Sequence, residues 1–182
     1  YCLHRNENVL TYIDKGMMVV GLEPSCLHTL RDEFLAITPS LDSENLANGA
    51  LMLEEFLVRE QQNGNLDIDF MPMAKKALVH GHCHQKAFDG MGAVEKALNL
   101  IPKLEVEIIN SSCCGMAGSF GYEVDHYEVS IAMAELDLLP AVRKANDDTL
   151  IVADGTSCRH QIRDGVGRDA KHVARILEMA LA

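Results

Sequence analysis

The chain has 182 residues, 48% of them hydrophobic, which is enough apolar side chain for the packed core of one ordinary domain and argues against a disordered segment. Its 27 acidic and 16 basic groups leave a net charge of −11, which argues against a nucleic-acid or anionic-membrane surface, and the absence of Trp removes stacking platforms for single strands. Six Cys are too few for a disulfide framework, nine Met and no secretion signal fit a reducing compartment, no apolar run reaches the ~18 residues of a membrane-spanning helix, and a first residue of Tyr suggests a start inside a longer polypeptide.

Cys2 and His4 fall in the first turn of an expected short helix running through Tyr12 and ended by Gly16. Met17 to Leu22 is an apolar run of the kind a buried parallel strand shows. It leads into Glu23-Pro24-Ser25-Cys26 and a helical stretch from Leu27 to Phe34, with Ser25 as its expected N-cap. Thr38-Pro39-Ser40 breaks the pattern. Leu46, Ala50, Leu53, Phe56 and Leu57 then form one apolar stripe, so a single amphipathic helix is predicted over Asn45 to Gln61, closed by Asn63-Gly64-Asn65.

Ala77 to His80 reads as the next strand and runs into Gly81-His82-Cys83-His84. A helix from Gly92 to Leu100 and a strand from Val106 to Ile109 follow, and the strand opens onto Cys113-Cys114-Gly115. Tyr127 to Ala145 reads as a long helix kinked or divided by Pro140. Leu150 to Ala153 is a strand leading to Asp154-Gly155-Thr156-Ser157-Cys158, and a last helix spans about Lys171 to Leu181. Alternating strands and helices give an α/β, Rossmann-like architecture, a mainly parallel sheet flanked by helices. Ligands of such sheets gather at the carboxyl ends of the strands, and four strands here end in a Cys-bearing loop.

The chain also repeats itself. VVGLEPSCLHTLRDEF (19–34) and IVADGTSCRHQIRDGV (151–166) share six identities in sixteen positions at an offset of 132 residues. The predicted organisation is therefore residues 1–66 as the C-terminal part of a first repeat, packed with a complete second repeat over residues 67–182. Cys26 belongs to the first copy, whose upstream partners are absent from the sequence.

The complete copy offers Cys83, Cys113, Cys114 and Cys158. Adjacent cysteines are hard to join to each other but can both face one metal centre if the backbone turns sharply, a turn that Gly115 allows. Four thiolates suit a [4Fe–4S] cluster or a structural zinc. The spacings, 29 residues between Cys83 and Cys113 and 43 between Cys114 and Cys158, describe a pocket assembled from three strand ends rather than a zinc ribbon. His82, His84 and Gln85 flank Cys83, and Arg159, His160 and Gln161 follow Cys158, as additional ligands, proton carriers or donors that tune the site, or else as solvated helix caps; Cys26, His82, His84 and His160 are the additional metal-ligand candidates. Gly115 to Gly121 lacks the order of the dinucleotide fingerprint. A Cys–His nucleophile at Cys83 would leave the other three cysteines without a purpose. A zinc-stabilised docking domain and a thiol–disulfide site at Cys113/Cys114 are the alternatives to a cluster.

HGHCHQKA (80–87), CCGMAGSFGYE (113–123) and DGTSCRHQI (154–162) resemble the duplicated cysteine-rich CCG domain found in heterodisulfide reductase and in the iron–sulfur component of glycolate oxidase. EPSCLHTLRDE (23–33) is most similar to the C-terminal region of fused FAD-linked oxidases of D-2-hydroxy acids. The resemblance implies electron transfer: an upstream flavin domain and ferredoxin-like domains would deliver electrons through this region to an acceptor such as a quinone. It also implies a cytoplasmic protein, peripheral to the inner membrane through its partners. By motif position it assigns Cys83, Cys113, Cys114 and Cys158 as cluster ligands. The heterodisulfide reductase pattern closes with Cys-x-x-Cys, whereas Gly155 and Glu23 precede Cys158 and Cys26, so each copy lacks one thiolate of a five-cysteine site. An ordinary [4Fe–4S] cluster, a labile one, zinc, or free thiols all fit four.

Overall fold

The computed structural model describes residues 9–182; Cys2 and His4 lie outside the described residues. After a helical stretch over residues 9–13, strand β1 (Val19–Gly21) leads into helices α1 (Pro24–Arg31), α2 (Glu33–Ile37) and α3 (Leu41–Gly49). Strand β2 (Ala50–Met52), helix α4 (Leu53–Gln62), strand β3 (Lys76–Val79) and helices α5 (Cys83–Ala87) and α6 (Met91–Leu98) follow. Strand β4 (Glu105–Ile108), helices α7 (Tyr127–Ala134) and α8 (Leu138–Lys144), strand β5 (Leu150–Val152) and helices α9 (Thr156–Val166) and α10 (Val173–Met179) complete the chain. Among the described residues the named strands all pair in parallel, as is typical of an α/β fold. The strands form two small sheets, β1–β2 and β4–β3–β5.

The three-stranded sheet is covered on both faces. Ala77, Val79, Leu150 and Val152 point to one side, where Val94 and Leu98 of α6 and Val173, Ile176 and Leu177 of α10 close over them. Leu78 and Ile151 point to the other, against Ala134, Leu138, Leu139, Val142 and Ile162 of α7, α8 and α9. This two-sided burial explains why the strands read as continuous apolar runs. Leu98 is fully buried within the first cluster. Leu98→Ala is expected to cost about 2–5 kcal/mol, measured as a shift of the denaturation midpoint.

Three elements depart from expectation. The helix predicted over Asn45 to Gln61 is interrupted by β2, which pairs with β1 in the register Val19↔Ala50 and Gly21↔Met52. Periodicity over Leu46 and Ala50 fits either element. The break is stabilised because Glu55 turns back to accept the Met52 N–H at 2.9 Å while also pairing with Arg31 of α1. The predicted helix from Tyr127 to Ala145 is two helices, and Pro140 sits in the first turn of α8, where a missing N–H is harmless. Glu23, not Ser25, is the N-cap residue of α1; Pro24 opens the helix and the Ser25 hydroxyl donates back to the Glu23 carboxylate.

In the order β4–β3–β5, the first strand of the unit is central and its neighbours are reached in opposite directions. That makes the carboxyl end of β3 the topological switch point, where an open α/β sheet has a crevice. The segment before residue 66 closes over this end. Glu23 accepts from the Thr156 N–H (2.9 Å) and hydroxyl (2.7 Å) at the start of α9, and His172 lies 2.7 Å from the Leu22 carbonyl.

Candidate metal centre

Each strand of the larger sheet delivers thiols to that crevice. β3 ends at Val79 and Cys83 opens α5; β4 ends at Ile108 and the chain reaches Cys113 and Cys114; β5 ends at Val152 and Cys158 lies in the first turn of α9. The structure brings the four together. Cys83 is hydrogen-bonded to Cys113, Cys113 to Cys114, and the sulfurs of Cys114 and Cys158 are 3.4 Å apart. Cys114 and Cys158 are buried, while Cys83 and Cys113 are half-buried. Cys83, Cys113 and Cys114 line a cleft of about 640 Å³ with Glu23, His82, His84 and Tyr122.

The Cys-Cys-Gly turn is fixed from several sides. Gly115 has a φ of +90°, and any Cβ there would run into the Ser130 carbonyl oxygen of α7. That carbonyl also accepts from Gln161 Nε2 of α9 at 3.1 Å, so turn, α7 and α9 share one contact. The Gly115 N–H donates to Cys113 Sγ at 3.2 Å, and Lys86 of α5 donates its ammonium to the carbonyls of Ser111 and Ser112.

The thiols divide by charge. Hydrogen bonds from Cys114 and Cys83 hold Cys113 far below the usual thiol range. A hydrogen bond to Cys114 lowers Cys158, aided by the nearby His80 and His82 imidazoles. Hydrogen bonding to Cys113, together with burial, pushes Cys83 and Cys114 well above that range. Four thiols gathered in a largely buried site, with the protons of Cys113 and Cys158 loosened by their neighbours, are the chemistry that attracts a metal cation.

The other residues singled out by sequence separate into two groups. His82 is the N-cap of α5, its Nδ1 accepting from the His84 N–H at 3.2 Å; both rings line the cleft. Burial lowers the pKa of His82. Cys26 is exposed and outside the cleft lining. His160 is exposed and bonds the Tyr122 hydroxyl at 2.7 Å, forming an outer wall rather than a neighbour of the sulfurs.

Sequence reasoning did not single out His80, the residue after β3, which is buried with its Nδ1 2.8 Å from Ser111 Oγ. Nor did it find the polar cluster beneath the site. Gln85 Nε2 donates to Glu54 Oε1 (2.9 Å) and Asp154 Oδ2 (2.7 Å), and Asp154 Oδ1 accepts from the Val173 N–H. A buried acid at a strand end and a Gln three residues after an N-cap are the available signals. Burial, followed by the charge of Asp154, raises the Glu54 pKa to about 9, so this carboxyl is neutral at pH 7. The folded state therefore keeps a proton that the unfolded chain loses near pH 4.5, and stability should fall as pH rises from about 4.5 to about 9. Glu54→Gln should remove this contribution, leaving a variant that gains on the wild type as pH rises across that window in urea melts.

Gly155 decides how many thiolates the site can hold. A Cβ there would lie 2.5 Å from the His82 ring and 3.1 Å from Cys158 Sγ, so the space a fifth cysteine needs is filled by His82.

No family model matches the sequence, and no solved structure matches it. The chain is 27% identical over 168 residues to a component of the anaerobic glycerol-3-phosphate dehydrogenase of Escherichia coli (strain K12), across 92% of this chain and 41% of that protein. It is 27% identical over 167 residues to the D-2-hydroxyglutarate dehydrogenase of the same strain, across 89% of this chain and 15% of that one. The corresponding Haemophilus influenzae protein is 28% identical over 158 residues, again across 15% of its length. The chain thus spans less than half the length of these curated relatives. No helix among the described residues is long and apolar enough to cross a membrane.

Proposed function

We propose that this chain is the iron–sulfur electron-transfer part of a flavin-linked dehydrogenase that oxidises a hydroxy acid or related alcohol. The observation that carries the reading is the convergence of four thiols from three strand ends on the switch point of the sheet. The relatives' names supply the reaction class. Glycerol 3-phosphate and D-2-hydroxyglutarate share a secondary alcohol, and its oxidation to a ketone releases two electrons and two protons. FAD accepts such a pair, and its domain or subunit would lie outside this chain, as would ferredoxin-like domains and an acceptor such as a quinone. A domain organisation of a partial repeat over 1–66 and a complete repeat over 67–182 belongs to the same proposal, as does peripheral membrane association through partners.

A bound cluster would supply a centre that takes up and releases one electron at a time. Cys83, Cys113, Cys114 and Cys158 would hold it. Cys114 and Cys158, both buried, would hold it from within, and the half-buried Cys83 and Cys113 would hold it at the cleft walled by Glu23, His82, His84 and Tyr122. The Gly115 N–H on Cys113 Sγ favours added negative charge, the direction that raises a reduction potential. The residues present fit an ordinary four-thiolate cluster and do not fit the five-thiolate type, because of Gly155 and His82.

The test is spectroscopic. Anaerobically purified protein reduced with dithionite should develop an iron–sulfur EPR signal that a quinone analogue discharges. A protein silent in both states, with no bound iron, would overturn the reading. A structural zinc is the second reading, favoured by one observation. The 3.4 Å between Cys114 and Cys158 is close to the roughly 3.8 Å expected of two thiolates on one tetrahedral ion with 2.3 Å bonds. Stoichiometric zinc without sulfide would establish it.

A further inference from the structure

We propose that His80 is itself a ligand of this metal centre, its Nε2 standing beside the sulfurs of Cys114 and Cys158 and supplying a nitrogen donor in addition to the four thiolates. The inference rests on the metal-centre reading above and deepens it.

The geometry is the first support. His80 follows the last residue of the central strand, and its N–H continues the ladder to the Val152 carbonyl at 2.8 Å, so its backbone is fixed by the sheet. Its side chain is 1% exposed. One ligand atom each from His80, Cys114 and Cys158 lies within 4.8 Å of the others. Three donors held that close, from two neighbouring strand ends and the loop after a third, can face one metal centre without moving the backbone.

The second support is an unmet need. His80 Nε2 is buried with no partner in good hydrogen-bond geometry and only the Cys158 and Cys114 sulfurs as neighbouring ligand atoms, the imidazole helping to lower the Cys158 thiol, whereas Nδ1 lies 2.8 Å from Ser111 Oγ. Leaving a polar atom of a buried imidazole unpaired costs free energy, and such atoms are rare in folded proteins. A ring with one nitrogen tied to a hydroxyl and the other bare is the arrangement of a metal-bound histidine. The outer bond sets orientation and places the proton on Nδ1, so the Nε2 lone pair faces the metal. Ser111 is placed by the same loop that presents Cys113 and Cys114, and Lys86 holds that loop through the Ser111 carbonyl. The alternative role for His80 is a hydrogen bond to an already ligated sulfur.

Pulsed EPR of the dithionite-reduced, anaerobically purified protein separates these roles. Coordination predicts a strong ¹⁴N coupling that converts to a ¹⁵N pattern when the protein is grown with ¹⁵N-histidine. It also predicts loss of that coupling in His80→Gln, with iron affinity lowered about tenfold or more. Ser111→Ala should alter the coupling while keeping it, a response that His82 and His84, which are not bonded to Ser111, would not give. The Ser111→Ala arm and the isotope arm decide the matter even if His80→Gln folds poorly. Bound iron with only weak nitrogen coupling, or a strong coupling that survives His80→Gln, would overturn the inference and leave the iron–sulfur reading intact. A wild type that binds no iron would overturn both.

Discussion

Replacing Cys114 by Ser should abolish metal binding, while replacing Cys26 by Ser should leave it unchanged. Cys114 is the hinge of the thiol set: 3% exposed, hydrogen-bonded to Cys113 and 3.4 Å from Cys158. A serine oxygen sits on a shorter bond, is neutral at pH 7 and cannot bridge those neighbours. Removing only a hydrogen-bond partner of a ligand costs roughly 10–100-fold in metal affinity, so loss of the central ligand should exceed that. Cys26, exposed and outside the cleft lining, serves as the control. Iron and sulfide per chain after anaerobic reconstitution provide the readout. Equal loadings for Cys114→Ser and Cys26→Ser would remove Cys114 from the site.

Gly115→Ala should be nearly as damaging although it removes no ligand. At a φ of +90°, an alanine there carries strain of about 1–3 kcal/mol, and its Cβ would also meet a backbone atom, the Ser130 carbonyl, which cannot swing away. That carbonyl is held by Gln161, one turn beyond Cys158 in the same helix. Relief must therefore come from the Cys113–Cys114 turn, which would carry Cys114 away from Cys158. The expected outcome is a lowered melting temperature together with lost iron, and rescue by Gln161→Ala should be poor because the carbonyl remains. A variant that keeps full iron and an unchanged melting temperature would contradict this account of the turn.

The strands and their thiols were legible in the sequence because the two signals reinforce each other. Runs such as Ala77–Val79 and Leu150–Val152 are buried on both faces, and each is followed within six residues by a cysteine. The fold class follows from the alternation of these strands with helices. What was not legible depended on partners distant in sequence. Ala50 to Met52 became a strand because β1 needed one beside it and Glu55 could cap the break. Glu54 reads as one more charged residue on a solvated helix face, and only the arrival of Gln85 and Asp154 reveals it as a buried, neutral acid. His80 looks like the polar end of a strand until Ser111 and the two sulfurs close around it. His82, His84 and His160 share the same local pattern of a His beside a Cys. The fold brings the first two to the cleft and ties the third to the hydroxyl of Tyr122 in the cleft's outer wall.

The most direct test of a four-thiolate electron-transfer centre is the iron and acid-labile sulfide content of protein purified without oxygen. Iron and sulfide in equal, stoichiometric amounts, brown in colour and absent from Cys114→Ser, is the predicted result. Colourless protein that takes up neither under reconstitution, or that carries zinc without sulfide, would contradict it.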